Sequence, residues 1–180
     1  GAPIVERAPE PPGVTRRAGE PLADMVRIAI ASDADEQLRA LAATADAGLV
    51  IGPHALPASD DVAVVDDEAM LDPRALVAPR LAGVRLFVWR ASIDAPWVVP
   101  FARTRAAELR AYVVVFDSPR KRAFAVDPDG VVVCGTFGDF ELAAFAFDRA
   151  RTDAWRVAPA TDVREGLMRV GDLASVPAAP

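Results

Sequence analysis

The sequence predicts a mixed α/β domain. Three observations carry that expectation: short apolar runs rich in β-branched residues recur along the chain, stretches with helical apolar spacing separate them, and capping or stop residues stand at the junctions. Residues 26–31 read as a buried strand. Asp33 and Glu36 then have capping-box spacing, and Leu38, Leu41, Ala42 and Ala45 share one helical face, so a helix is expected to run to about residue 47 and stop at Gly48. Residues 49–51 give a second strand, and a strand–helix–strand unit favours a parallel pair.

The unit then repeats. Residues 62–65 form a strand, Asp72 is placed to cap a helix with Pro73 at its first position, and Gly83 stops that helix after residue 82. Residues 85–89 make the next strand, Pro100 opens a helix whose 103–111 stretch is rich in helix formers, and 112–116 is a continuous apolar strand. Past this point the pattern changes to a hairpin, with 124–126 and 131–133 flanking the turn Asp127-Pro128-Asp129-Gly130. A strand over 142–147 and a short helix over 149–155 precede an irregular segment.

Residues 1–24 carry Pro3, Pro9, Pro11, Pro12 and Pro21 without periodicity and read as a tail or linker; 171–180 read as a second tail, leaving one domain over 25–170. The opening Gly1-Ala2-Pro3, with no initiator Met, leads us to expect a cloning remnant or a domain cut from a longer polypeptide.

Composition narrows the function classes. A hydrophobic content of 52% in 180 residues suits one domain with a real core. The net charge of -6 argues against a nucleic-acid partner, because phosphate binding needs clustered cations; proteins or small molecules are the expected partners. No apolar run approaches the roughly 18 residues of a membrane span, and no signal peptide opens the chain, so a cytoplasmic location is expected. Cys134 and His54 are the sole cysteine and histidine, which excludes an internal disulfide, an all-cysteine metal site and a His-rich metal site. Nucleotide-loop and serine-elbow motifs are absent, and we expect no cofactor.

Residues 103–117 resemble a helix–strand segment of the carbon–nitrogen hydrolase (nitrilase) superfamily, usually written RA-x-EN followed by a Tyr-Val strand ending in Asn, with Leu109 and Asp117 at the two Asn positions. The hairpin over 124–132 is similar to the family's DP-G hairpin. At family spacing there follow 142–148, then Arg156, Pro159 and Asp162-Val163-Arg164. In the first half, 26–31 is similar to the opening strand and 45–54 to the family's GADLVVLPE segment, with His54 where the catalytic Glu stands. Residues 62–65 resemble the nucleophile strand, with Asp66 in place of Cys. Pro73 and 81–87 resemble the helix and strand after it. The segment matching the catalytic Lys is reduced to about 55–60 and holds no Lys. The resemblance spans about 25–167 and implies a nitrilase-like αββα two-sheet sandwich, shortened, whose Glu-Lys-Cys triad is degenerate.

Nitrilase chemistry needs a thiolate, a proton-shuttling carboxylate and a cation for the developing charge. An aspartate nucleophile would give an anhydride, and Cys134 beside three valines reads as a small buried hydrophobe. His54 could replace a general base but has no nucleophile to serve. The acidic cluster Asp60, Asp61, Asp66, Asp67 and Glu68 is a candidate for a hard cation, with solvated loop charge as the plainer reading, so no metal is expected. The expected role is therefore that of a pseudoenzyme acting in homo-oligomerisation, as a homodimer, or as a docking subunit of a partner protein. The resemblance places interfaces at about 97–111 and 154–169, with Trp97, Phe101, Trp155 and Arg164 as candidates. Two alternatives stand beside it: a domain binding a small amine or amide in a surviving pocket of His54, Asp66, Asp67 and Glu108, or a residual amidohydrolase.

Overall fold

Two β-sheets stack through a shared apolar layer, and helices cover the outer face of the larger one. The computed structural model describes residues 10–31, 40, 42, 43, 46–136, 142–158 and 161–174. The larger sheet has the order β1-β4-β5-β6-β7-β8, built from β1 (Val14–Arg16), β4 (Val62–Val65), β5 (Leu86–Ala91), β6 (Tyr112–Asp117), β7 (Arg122–Val126) and β8 (Val132–Thr136). The smaller has the order β3-β2-β9, from β3 (Leu49–Ile51), β2 (Met25–Ala31) and β9 (Leu142–Asp148). Strands β4, β5 and β6 run parallel, as do β2 and β3, so the expected parallel pairs form.

Alternation explains the layers. Along β6, Tyr112, Val114 and Phe116 face the smaller sheet, where they meet Ile28, Ile30, Ile51, Phe145 and Phe147, while Val113 and Val115 face the helices. Each fully buried side chain of this size contributes roughly 1.5–3 kcal/mol. Tyr112 also pins the sheets in register: its ring lies 5.6 Å from Phe145 and 5.1 Å from Phe147, and its hydroxyl accepts from the Asp148 amide at 3.1 Å.

Helices α1 (Asp67–Leu71), α2 (Pro73–Leu81) and α3 (Val98–Leu109) connect the parallel strands, with Asp72 and Pro73 in the predicted capping roles. Their ends are tied by three buried arginines. Arg80 donates to the carbonyls of Leu109 (2.7 Å), Arg110 (3.3 Å) and Thr152 (2.6 Å) and stacks on Trp155. Arg105 donates to Met70 and Leu71 at the end of α1. Arg110, left-handed at the end of α3, reaches Arg151 and Ala154 at the end of α4 (Arg149–Asp153). In each case a guanidinium satisfies carbonyls that a helix C-terminus leaves unpaired. No helix among the described residues is long and apolar enough to cross a membrane.

The structure departs from the sequence expectations at both ends. Residues 10–24, expected as part of a linker, form an ordered strap: β1 pairs antiparallel with β4, Leu22 donates to Asp61 at 2.7 Å, and Arg149 clamps the Leu22 carbonyl at 2.5 Å. Prolines flank β1 without interrupting it because an edge strand tolerates them. At the other end, a two-stranded ribbon of β10 (Arg156–Ala158) and β11 (Thr161–Asp162) leads into the 12-residue α5 (Val163–Ala174), where an irregular segment and a tail from 171 were expected. Val163, Leu167 and Val170 seat α5 on the helical layer. Most of the helix expected over 33–47 lies outside the described residues; positions 40, 42 and 43 are helical and Ala42 is fully buried.

Candidate functional site

In parallel sheets the loops after the strands gather side chains at one rim. Here the rim carries His54 after β3, and Asp66 and Asp67 after β4. The two aspartates are occupied in building it. Asp66 caps α1, its Oδ1 accepting from the Ala69 amide at 2.9 Å, and its own amide donates to Gly13 of the strap at 3.0 Å. Gly13 has φ +73° and lies so close to the Asp66 carboxylate that a Cβ there has no room, which is why a glycine stands at this crossing. Asp67 accepts from Trp89 Nε1 at 2.9 Å, from the Ser92 amide at 3.1 Å and from the Ser92 hydroxyl. Asp61 is likewise engaged by Arg85 and Arg149.

The four pocket residues named from the sequence do not converge. Glu108 lies in the last turn of α3, which leads into the start of β6 and therefore sits away from the strand ends; its side chain is 49% exposed and pairs with Arg105 at 2.6 Å. His54 lines a cleft of about 360 Å³ formed with Arg17, Val50, Ala55, Leu56, Pro57 and Arg90, and the other three are not among the residues that line it. Arg17 comes from the strap and is held by two carbonyls, Nε to Pro57 at 3.3 Å and Nη2 to Leu56 at 3.2 Å. Arg90 is the one charged residue within the otherwise apolar β5. That interruption was a readable signal; nothing local in the sequence marks Arg17.

Cys134 lies in β8, half-buried, with its thiol pushed up to about 11 by desolvation. Almost none of it is thiolate at neutral pH. Among the interface candidates, Trp97 is 39% exposed and pairs with Phe101 at a centroid distance of 5.4 Å. Leu71, 41% exposed, joins them through Arg105, which stacks on Phe101 and binds the Leu71 carbonyl. Trp155 is half-buried beneath Arg80, 4.1 Å from its guanidinium carbon, and Arg164 is exposed on α5.

No family model and no curated sequence matches the chain. Solved structures similar to it in fold include Saccharomyces cerevisiae Nit3, a member of branch 10 of the nitrilase superfamily, at 18% identity and a TM-score of 0.46 over 53% of this chain. The Caenorhabditis elegans NitFhit protein is similar at 22% identity and a TM-score of 0.44 over 51%, and an amidase from Nesterenkonia sp. at 14% identity and 0.42 over 55%. The chain spans 40%, 26% and 41% of those three proteins respectively.

Proposed function

We propose that this chain is a non-catalytic two-sheet domain that works by association, as a homodimer or as a docking subunit. The observation that carries the reading is the exposed Trp97, paired with the half-buried Phe101, with the exposed Leu71 joined to them through Arg105 on the helical face. A large aromatic left partly in water is the kind of residue that anchors an interface, because it removes much area from water with little side-chain entropy to lose. The state of the resembled catalytic positions supports the same reading. Asp66 is committed as a helix cap, and the only thiol is protonated and lies on β8.

Sedimentation velocity across a range of concentrations tests the proposal. The wild-type chain is expected to dimerise, and Trp97→Glu to weaken dimerisation by at least thirtyfold, about 2 kcal/mol, with a melting temperature unchanged at concentrations where the wild type is monomeric. A wild-type chain that stays monomeric and captures no protein partner would sink it. Turnover of simple amides, lost in Asp66→Ala, would revive the amidohydrolase alternative.

A further inference from the structure

We propose that the cleft between the ends of β3 and β5 binds a small oxyanion, the carboxylate or phosphate group of a small molecule. The inference is independent of the association reading and uses residues outside the Trp97 face. Three basic side chains, Arg17, His54 and Arg90, line the cleft and no carboxylate among the described residues does, in a chain whose 26 acidic residues outnumber its 20 lysines and arginines. Several cations elsewhere are engaged by carboxylates: Arg85 and Arg149 share Asp61, Arg122 holds Asp117, and Arg151 holds Asp127 and Asp129. Arg90 and His54 have no hydrogen-bond or ion-pair partner among the described residues.

Geometry favours a bound anion over mere surface charge. The bonds from Arg17 to the carbonyls of residues 56 and 57 hold its guanidinium in place and leave Nη1 unused. A donor already immobilised loses little entropy when a ligand arrives. Val50, Ala55, Leu56 and Pro57 supply apolar walls that strengthen any charge interaction between them. A planar guanidinium matches the two oxygens of a carboxylate or phosphate, and about 360 Å³ falls at the small end of ligand pockets, which run from roughly 300 Å³ upward. An amine would meet like charge at Arg17 and Arg90.

The test is a titration of the full chain with inorganic phosphate, and separately with acetate, at ionic strength held constant with sodium chloride, followed by melting temperature. The expected result is a saturable rise with phosphate or acetate and none with chloride alone, weakened at least tenfold in apparent Kd by Arg90→Gln. Because Arg90 is exposed and unbonded, that variant is expected to fold as the wild type does. Absence of a saturable shift with either anion, or an Arg90→Gln variant that responds as the wild type does, overturns the proposal. Sedimentation of the same samples reads association separately, so the two proposals can fail independently.

Discussion

The arginines on the two sides of the larger sheet differ in one respect, the completeness of their partners. On the helical side, Arg80, Arg105 and Arg110 are buried and each is surrounded by carbonyls from helix ends. At the strand-end rim, the Arg90 side chain has no partner among the described residues and Arg17 keeps part of its guanidinium unused. Burying a cation is tolerable only when its donors are met, so the first set is a structural fixture whose removal strands several acceptors at once. A cation left in water with open donors contributes little to folding and remains available to a ligand. Charge type alone therefore says nothing about role; the partner list does.

The contrast is sharpest when one residue of each kind is truncated. Arg80→Met is expected to destabilise the fold by about 4 kcal/mol, because the carbonyls of Leu109, Arg110 and Thr152 lose their donor together and Trp155 its cation. Arg80→Lys should recover little of this, since an ammonium cannot reach divergent carbonyls or stack as a plane. Arg90→Met should stay within about 0.5 kcal/mol of wild type. Urea denaturation reads all three, and equal losses at positions 80 and 90 would break the comparison.

Asp61→Asn gives the next largest expected effect, about 3 kcal/mol. This carboxylate is nearly fully buried between Arg85 and Arg149 and also accepts from the Leu22 amide, so it joins the strap to both sheets. A neutral amide removes the buried counter-ion that the two arginines share, leaving Arg85 with Asp153 and Arg149 with Asp24, both more exposed carboxylates. Proteolysis reads this locally: cleavage within residues 10–24 is expected to accelerate in the variant while the helical face stays protected. Equal acceleration at the helical face would mean that the strap is not a separable element.

Most strands were legible because each is a short apolar run bounded by a turn signal, and α2 because Asp72 and Pro73 announce its start. The strap was not, because β1 is only three residues long and its stability comes from β4, Asp61 and Arg149, which lie far away in sequence. Helix α5 could have been found: Asp162 accepts from the amides of Arg164 and Glu165, and Val163, Leu167 and Val170 share one face. Gly166 and Gly171 obscured it, since glycine disfavours a helix interior by roughly 1 kcal/mol. The cleft was half legible. His54 and Arg90 stand at strand ends, whereas Arg17 enters it only because two chain segments 40 residues apart are brought together.

A third small effect tests an intermediate case, a cation whose partner is itself half in water. Asp129 sits in the β7–β8 turn, where Arg110 and then Arg151 hold its carboxyl below the usual carboxylate range through hydrogen bonds. The folded state binds the proton less readily than the unfolded one. The stabilisation is therefore fully present above the ordinary carboxylate value near 3.9 and is lost as pH falls through the lower folded value. With Asp129 51% exposed, screening reduces the contribution to about 0.5 kcal/mol. Asp129→Asn should accordingly cost about that much at pH 7 and make the acid limb of the stability curve slightly shallower below pH 4, measured by urea denaturation at each pH. A loss several times larger would show that the buried Arg110 depends on this carboxylate, and that the carbonyls of Pro128, Arg151 and Ala154 do not suffice to hold it.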